Sequence, residues 1–476
     1  MLAQCRELLG SGFVTALANR AIARFAEERC VWGRCTLEKK SWSDSLDDFV
    51  DDLRSYVVHI ELYVRTLVRW ILTSGLIGIA SGLVGTAFHK GVEMATEFRM
   101  DHFWVIWTLP VAGLVAVGIY RLLKVEGLGT DTVIEQVRTG DGLSLRLLPA
   151  VFTATIVTHL AGGSAGREGA ALQMGGAIGL GVGRTLHLDE RDRSTATMAG
   201  MAALFSALFG TPIAATVFAM GVISVGAIYH VAFVPCLIAS LVSFETSLQL
   251  GVEPTRFLVE TIPGITPMCV ARVALLACLC GMLSAAFCEA VHRTERLAHR
   301  RLPNPWIRAA VGGGVILALT LMLGTQDYNG AGMAGIVGAV EWGSADSFAF
   351  VWKIIFTSIT LAAGFKGGEV VPSFFIGATF GCVVGPLLGM PAGFSAAVGL
   401  VSVFCGATNC PLASLFLAVE LFGAEGLVLF AVACGFSFVM SGYYGLYYSQ
   451  RILYDKLKAT FIDAHANAYH EGSAQR

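Results

Sequence analysis

Charge is what this chain has least of. Of its 476 residues only 14% are Asp, Glu, Lys or Arg, while 55% are hydrophobic. A soluble chain carries nearer ~25% charged residues. So few charges cannot solvate a surface of this size, and much of it must face lipid. An excess of positive charge is missing as well. The net charge of -2 leaves no electrostatic footprint for nucleic acid. The twelve cysteines form no paired CxxC clusters, so neither a zinc site nor a disulfide framework is expected. Most lie in apolar runs, where cysteine behaves as a small buried residue. No metal or cofactor is expected. The first residues lack the basic start, apolar middle and small-residue cleavage site that define a secretory signal.

Glycine and apolar runs are what the chain does contain. There are 55 glycines, and mean hydropathy is +0.67. Apolar stretches follow one another from about residue 66 to 440 with few polar interludes. A full membrane crossing takes about 20 apolar residues. Several runs are shorter and end at Gly or Pro, as expected of helices that stop inside the membrane. Broken backbone is tolerated there only where it is buried in protein or lines a wet cavity. We therefore expect an all-α, polytopic, multi-pass protein of the cell (inner) membrane. Residues 1–65, which include the acidic cluster Asp44, Asp47, Asp48, Asp51 and Asp52, are expected as a cytoplasmic or membrane-surface segment. Residues 66–245 and 266–445 are expected as two transmembrane halves, and 449–476 as a short polar tail.

The halves are suggested by an internal match. Gly166-Arg167-Glu168-Gly169-Ala170 and Phe365-Lys366-Gly367-Gly368-Glu369 both combine a basic residue with glycines before a short apolar helix. Arg167 and Lys366 are 199 positions apart. Gly210-Thr211-Pro212-Ile213-Ala214-Ala215 resembles Asn409-Cys410-Pro411-Leu412-Ala413-Ser414, and Pro212 and Pro411 are also 199 apart. Paired broken segments in two halves point to a transporter binding site.

Each glycine loop opens a helix, and the free N–H groups of a helix start favour an anion. Three starts, near Glu168, Val370 and Pro411, are expected to converge on one dehydrated anion. Glu168 is an ionisable residue at membrane depth, which is a functional candidate by default. Ionised, its carboxylate can occupy an anion site. Protonated, it can leave, which is a route to coupling protons and anions. The plainer reading pairs it with Arg167. Glu369 either stabilises its own helix start or takes part in ion selection, with Lys366 as partner in both cases. Tyr443, Tyr444, Tyr447 and Tyr448 read as interfacial anchors, of which one can turn inward as an anion donor. A rival pattern, Gly162-Gly163-Ser164-Ala165-Gly166, satisfies the G-x-S-x-G of a serine hydrolase, with His159 or His230 as base. A hydrolase gives no reason for the second matching half.

At Gly166-Arg167-Glu168-Gly169 the chain resembles the CLC family of chloride channels and proton-coupled anion exchangers, over about 66–450. The family's three signature segments correspond to Gly127-Leu128-Gly129-Thr130-Asp131, Gly166–Ala170 and Gly364–Pro372. Gly442–Gln450 matches the region of its tyrosine ligand, Tyr447. The resemblance implies a homodimer in the lipid bilayer, with one pore per subunit built from inverted halves. It makes Glu168 the gate and proton carrier. Gly166, Arg167, Gly169, Ala170, Val370, Val371, Phe374 and Tyr447 become the anion site, with Leu128 and Glu369 setting selectivity. The departures from the pattern are Leu128 for the central serine, Ala170 for proline, and Val222 where many exchangers carry an inner proton-transfer glutamate. With Gly-Gly-Glu-Val-Val-Pro as third motif, this resembles the fluoride-exporting, proton-antiporting branch. In that branch the position of Val371 can be threonine. A chloride/proton exchanger and a passive chloride channel are the alternatives, and fluoride or chloride together with protons are the partners implied.

Overall fold

Glycine, proline and asparagine set where the helices of this chain begin and end. A computed structural model describes residues 42–140, 143–458 and 460–467. The expectations for residues 1–41 and 468–476 lie outside the described residues. Contacts divide the chain after Leu67. Residues 42–67 are the opening part of the first helix, and everything below lies in the compact unit from Val68 onward. The first run of helices is α1 (Trp42–Asp101), α2 (Leu109–Leu122), α3 (Thr130–Thr139), α4 (Leu147–Ala161), α5 (Glu168–Thr185), α6 (Glu190–Phe209), α7 (Pro212–Gly221) and α8 (Phe233–Gln249). The second is α9 (Pro267–Arg301), α10 (Pro305–Leu323), α11 (Met333–Glu341), α12 (Ala349–Ala363), α13 (Val370–Leu387), α14 (Ala392–Thr408), α15 (Pro411–Phe422) and α16 (Leu427–Met440). Proline stands at the first turn of α7, α9, α10 and α15, where its missing N–H costs nothing.

Among the described residues six segments are long and apolar enough to cross a membrane: His59–Asp101, Phe103–Leu122, His230–Gln249, Pro267–Arg301, Pro305–Leu323 and Val370–Leu387. Others, such as α4, α7, α12 and α15, fall short of 18 residues. These short helices are the broken segments the apolar runs predict.

The centre is built from α5 against α6 and α13 against α14, all buried over most of their length. Glycine makes these crossings possible. A Cβ on Gly175 would lie 2.2 Å from the Gly200 carbonyl oxygen, and one on Gly377 would lie 2.3 Å from that of Gly399. Only bare backbone can approach so closely, as is usual where membrane helices pack on small residues. Beside these crossings five phenylalanines close a ring: Phe209, Phe205, Phe218, Phe404 and Phe374, with successive centroids 5.0–5.7 Å apart.

The fold is mostly helical, but not wholly so. β1 (Ser224–Val225) pairs in parallel with β2 (Arg451–Tyr454), which pairs antiparallel with β3 (Phe461–His465). The expected polar tail is therefore, over its described part, a folded hairpin. Its alternation buries Ile452 against Val225 and Ala466, with Phe438 and Tyr443 packed over them. Arg451 closes the far side on the Asp463 carboxylate at 2.9 Å.

Candidate anion site

Two loops meet at the centre. α4 ends at Gly162 and α12 at Gly364, both with φ of +95°, a left-handed turn that favours glycine. The chain then reaches Gly166 in one loop and Gly368 in the other. These bond reciprocally: the Gly166 N–H donates to the Gly368 carbonyl at 2.6 Å, and the Gly368 N–H to the Gly166 carbonyl at 2.7 Å. α5 and α13 therefore start side by side, capped by Arg167 and Glu369 in nearly the same backbone conformation. A Cβ on Gly368 would sit 2.3 Å from the Gly169 nitrogen, so only glycine fits the crossing.

This geometry corrects the register of the repeat. Gly166 and Gly368 are 202 positions apart, so Arg167 corresponds to Glu369, not to Lys366. Pro212 and Pro411 keep the spacing of 199, each at the first turn of its helix. The three-residue difference falls at the start of α14, which has 17 residues where α6 has 20. Lys366 is no partner of Glu369: its ammonium lies 4.2 Å from the centre of the Tyr120 ring.

Glu168 is the first residue of α5 and is wholly buried. One oxygen, Oε2, accepts from the Arg167 N–H at 2.9 Å. The other, Oε1, lies 3.4 Å from Arg167 Nε and accepts no hydrogen bond. The plainer pairing is present, because Arg167 folds back over its neighbour. The guanidinium is also held by His89 at 3.0 Å and by the Leu208 carbonyl at 3.4 Å. Glu168 and Arg167 line a cavity of about 430 Å³ that also touches Val371.

Glu369 is half-buried, and its carboxylate faces Gly169 across the paired loops. Ala170, Val370 and Val371 are buried, and Phe374 belongs to the phenylalanine ring. Leu128 is half-buried in the turn before α3 and packs against the core, presenting no hydroxyl.

Among the four tyrosines only Tyr447 is fully buried, at 1% exposure, and its hydroxyl has no hydrogen-bond partner among the described residues. A buried hydroxyl left bare costs about 1–3 kcal/mol. Residues that sequence reading missed hold it there. Asp131 Oδ1 accepts from both the N–H and the hydroxyl of Ser449 at 2.7 Å, and Arg138 donates to the Ser449 carbonyl at 2.8 Å. Gln450 Nε2 donates to the carbonyls of Val222 at 3.0 Å and Thr408 at 2.9 Å. Val222 is thus buried, with its backbone tied to the tyrosine segment. Tyr443 instead donates to Asp455 in the hairpin at 2.7 Å, and Tyr448 packs on His292. Asp131, Ser449 and Gln450 stand inside the segments Gly127–Asp131 and Gly442–Gln450, but no local pattern pairs the two segments.

One expectation is overturned and one rival reading is excluded. The start of α15, with Asn409, Cys410 and Pro411, opens on a different cavity of about 280 Å³ that shares no lining residue with the Glu168 cavity. Two helix starts, not three, are brought together. The hydrolase reading also fails. Ser164 Oγ bonds Thr357 at 3.0 Å, His159 Nδ1 is taken by the Thr155 carbonyl, and His230 is exposed in a 3-10 turn. Among the described residues no histidine bonds the serine.

A model of the voltage-gated chloride channel family matches residues 112–442. The chain belongs to the CLC family. It is 35% identical over 399 residues to the chloride/fluoride channel protein of Pseudomonas syringae pv. tomato, covering 82% of this chain and 88% of that one. The crystal structure of a CLC-type fluoride/proton antiporter superposes with a TM-score of 0.78 at 34% identity, covering 81% of this chain and 98% of the other. A slow cyanobacterial Cl-/H+ antiporter, at 18% identity and a TM-score of 0.67 over 78% of this chain and 94% of the other, shares the fold. The family makes the chain a multi-pass membrane transporter, not an enzyme.

Proposed function

We propose that this protein is a fluoride/proton antiporter that exports fluoride against proton uptake. The observation that carries the reading is Glu168: a wholly buried carboxylate at a helix start, paired with Arg167, on the wall of a cavity. Ionised, it is itself the anion at the start of α5. Protonated, it loses its attraction for the helix N–H groups and Arg167, and vacates the position for fluoride. One carboxylate so serves as gate and proton carrier. Val222 offers no second one.

Fluoride is small and strongly hydrated, so close donors must replace its water. The N–H groups around Gly166–Ala170 and Val370–Phe374, and the unpartnered Tyr447 hydroxyl, are the donors in this reading. Glu369 and the apolar Leu128 bias the site against larger anions. The likeness to the CLC-type fluoride/proton antiporter, over 98% of that chain, favours fluoride over chloride. The reciprocal Gly166–Gly368 bridge relates the two loops by a local two-fold axis, which supports inverted halves around one pore per subunit. The same reading makes the working unit a homodimer.

The test is flux from liposomes holding purified protein, with external pH followed. Fluoride efflux much faster than chloride efflux, accompanied by proton uptake, is expected. Glu168→Gln, which keeps size and removes titration, should abolish proton uptake. Equal or faster chloride flux would sink the fluoride assignment, and anion flux without proton movement in the unaltered protein would make it a channel.

A further inference from the structure

Two residues that line the cavity beside Glu168 each carry a buried nitrogen with no hydrogen-bond partner among the described residues. Arg99, on α1, is 2% exposed. Its terminal nitrogen donates to Gln326 at 2.6 Å, but its Nε finds no acceptor. His159, on α4, is 1% exposed. Its Nδ1 lies 2.9 Å from the Thr155 carbonyl, which can only accept, so Nδ1 carries the hydrogen. Its Nε2 is then a bare lone pair when the ring is neutral and a second donor when the ring is charged, and it too has no partner. Both side chains line the same cavity as Glu168.

Nothing in the gating cycle described above uses either group. A cavity lined by one residue with a spare N–H donor and another with a spare proton acceptor suits a small anion that arrives with a proton. We propose that Arg99 and His159 form a second, proton-linked fluoride site in this cavity. The fluoride accepts from Arg99 Nε–H and from the Nε2–H of a protonated His159. Where the ligand comes as hydrogen fluoride, the H–F bond breaks, the proton passes to Nε2 and fluoride stays between the two donors. The atoms and charge balance without any further reactant.

The charges around His159 favour joint loading. Arg99, Arg167 and Lys353 surround it with positive charge. Glu168 lies on the same wall, His89, Glu93 and Glu97 line the cavity along α1, and Asp327 lines it from the loop after α10. From α2 come only Tyr120, taken up by Lys366, and the exposed Arg121. The 3-10 turn Phe103–Thr108 brings no titratable group. A fluoride between Arg99 and His159 supplies the negative charge an imidazolium needs among three cations.

The inference rests on the fluoride/proton reading and deepens it. The test is calorimetry of fluoride binding to full-length Glu168→Gln protein in detergent, in two buffers of different ionisation enthalpy, between about pH 5 and 8, where imidazole titrates. With Glu168 silenced, fluoride binding should still take up protons, and affinity should weaken about tenfold per pH unit once the imidazole is neutral. Adding His159→Gln should remove both effects. Arg99→Lys, which keeps the charge and loses Nε–H, should weaken fluoride binding while retaining proton uptake, and it serves if the histidine variant does not fold. Fluoride binding without proton uptake would overturn the site and leave the antiport reading standing. Binding of chloride but not fluoride would overturn that reading itself.

Discussion

At the scale of single residues, the contrast between Tyr447 and Tyr443 is the sharpest. Both lie within a few positions at the end of the last apolar run, yet one hydroxyl is buried without a partner among the described residues and the other is bonded to Asp455. Tyr447→Phe should weaken fluoride binding by about 1.5–3 kcal/mol, roughly ten- to a hundredfold, since hydrogen bonds to charged groups are worth that much. Tyr443→Phe should leave binding unchanged. Calorimetric titration of both variants decides it, and the reverse pattern would mean the wrong hydroxyl has been assigned to the anion. Glu369→Gln is a third comparison. If Glu369 acts on selectivity alone, liposomes carrying it should keep proton uptake and lose part of their preference for fluoride over chloride.

At the scale of elements, stability rests on backbone contact between glycines. Gly200→Ala would place a methyl group about 2.1 Å from the Gly175 carbonyl oxygen, so α5 and α6 must part. Overpacking of this kind costs about 1–3 kcal/mol or more. Gly314→Ala, in α10, meets nothing within 4 Å and should be neutral or stabilising by about 0.5–1 kcal/mol. The temperature at which the detergent-solubilised protein loses its monodisperse peak should fall for the first and hold for the second. These crossings also explain what was legible in advance. Apolar runs ending at Gly or Pro marked the short helices well, because helix termination is local chemistry. The glycine loops around Glu168 and Gly368 stood out for the same reason. The register between them did not. It is decided by the Gly166–Gly368 bridge, which no local pattern encodes, and by a turn missing from the start of α14. The partner of Lys366 was misjudged because it depends on Tyr120, and the further partners of Arg167, His89 and Leu208, were not foreseen because they are remote in the chain. The hairpin was missed because the half of its pairing that buries it comes from Ser224–Val225, more than two hundred residues earlier.

At the scale of the whole molecule, the direction of charge movement is decisive. Fluoride leaving and a proton arriving both carry positive charge inward, so their exchange is electrically active. Each elementary charge moved across 100 mV is worth about 2.3 kcal/mol. Efflux from liposomes should therefore stall until a potassium ionophore shunts the potential, whereas hydrogen fluoride leaving as a neutral pair would be indifferent to it. The Gly166–Gly368 bridge carries a last consequence, for biosynthesis. A ribosome making this chain releases Arg167 and Glu168 into the membrane some two hundred residues before the loop that buries them exists. Until Gly368 is made, the first loop has no partner for its backbone and no wall for its charges. The growing chain must be sheltered through that interval, by the insertion machinery or by water held at the loop. The central site is therefore among the last things this protein acquires, and a chain cut short before the second loop should be recognised and degraded, not left in the membrane half-built.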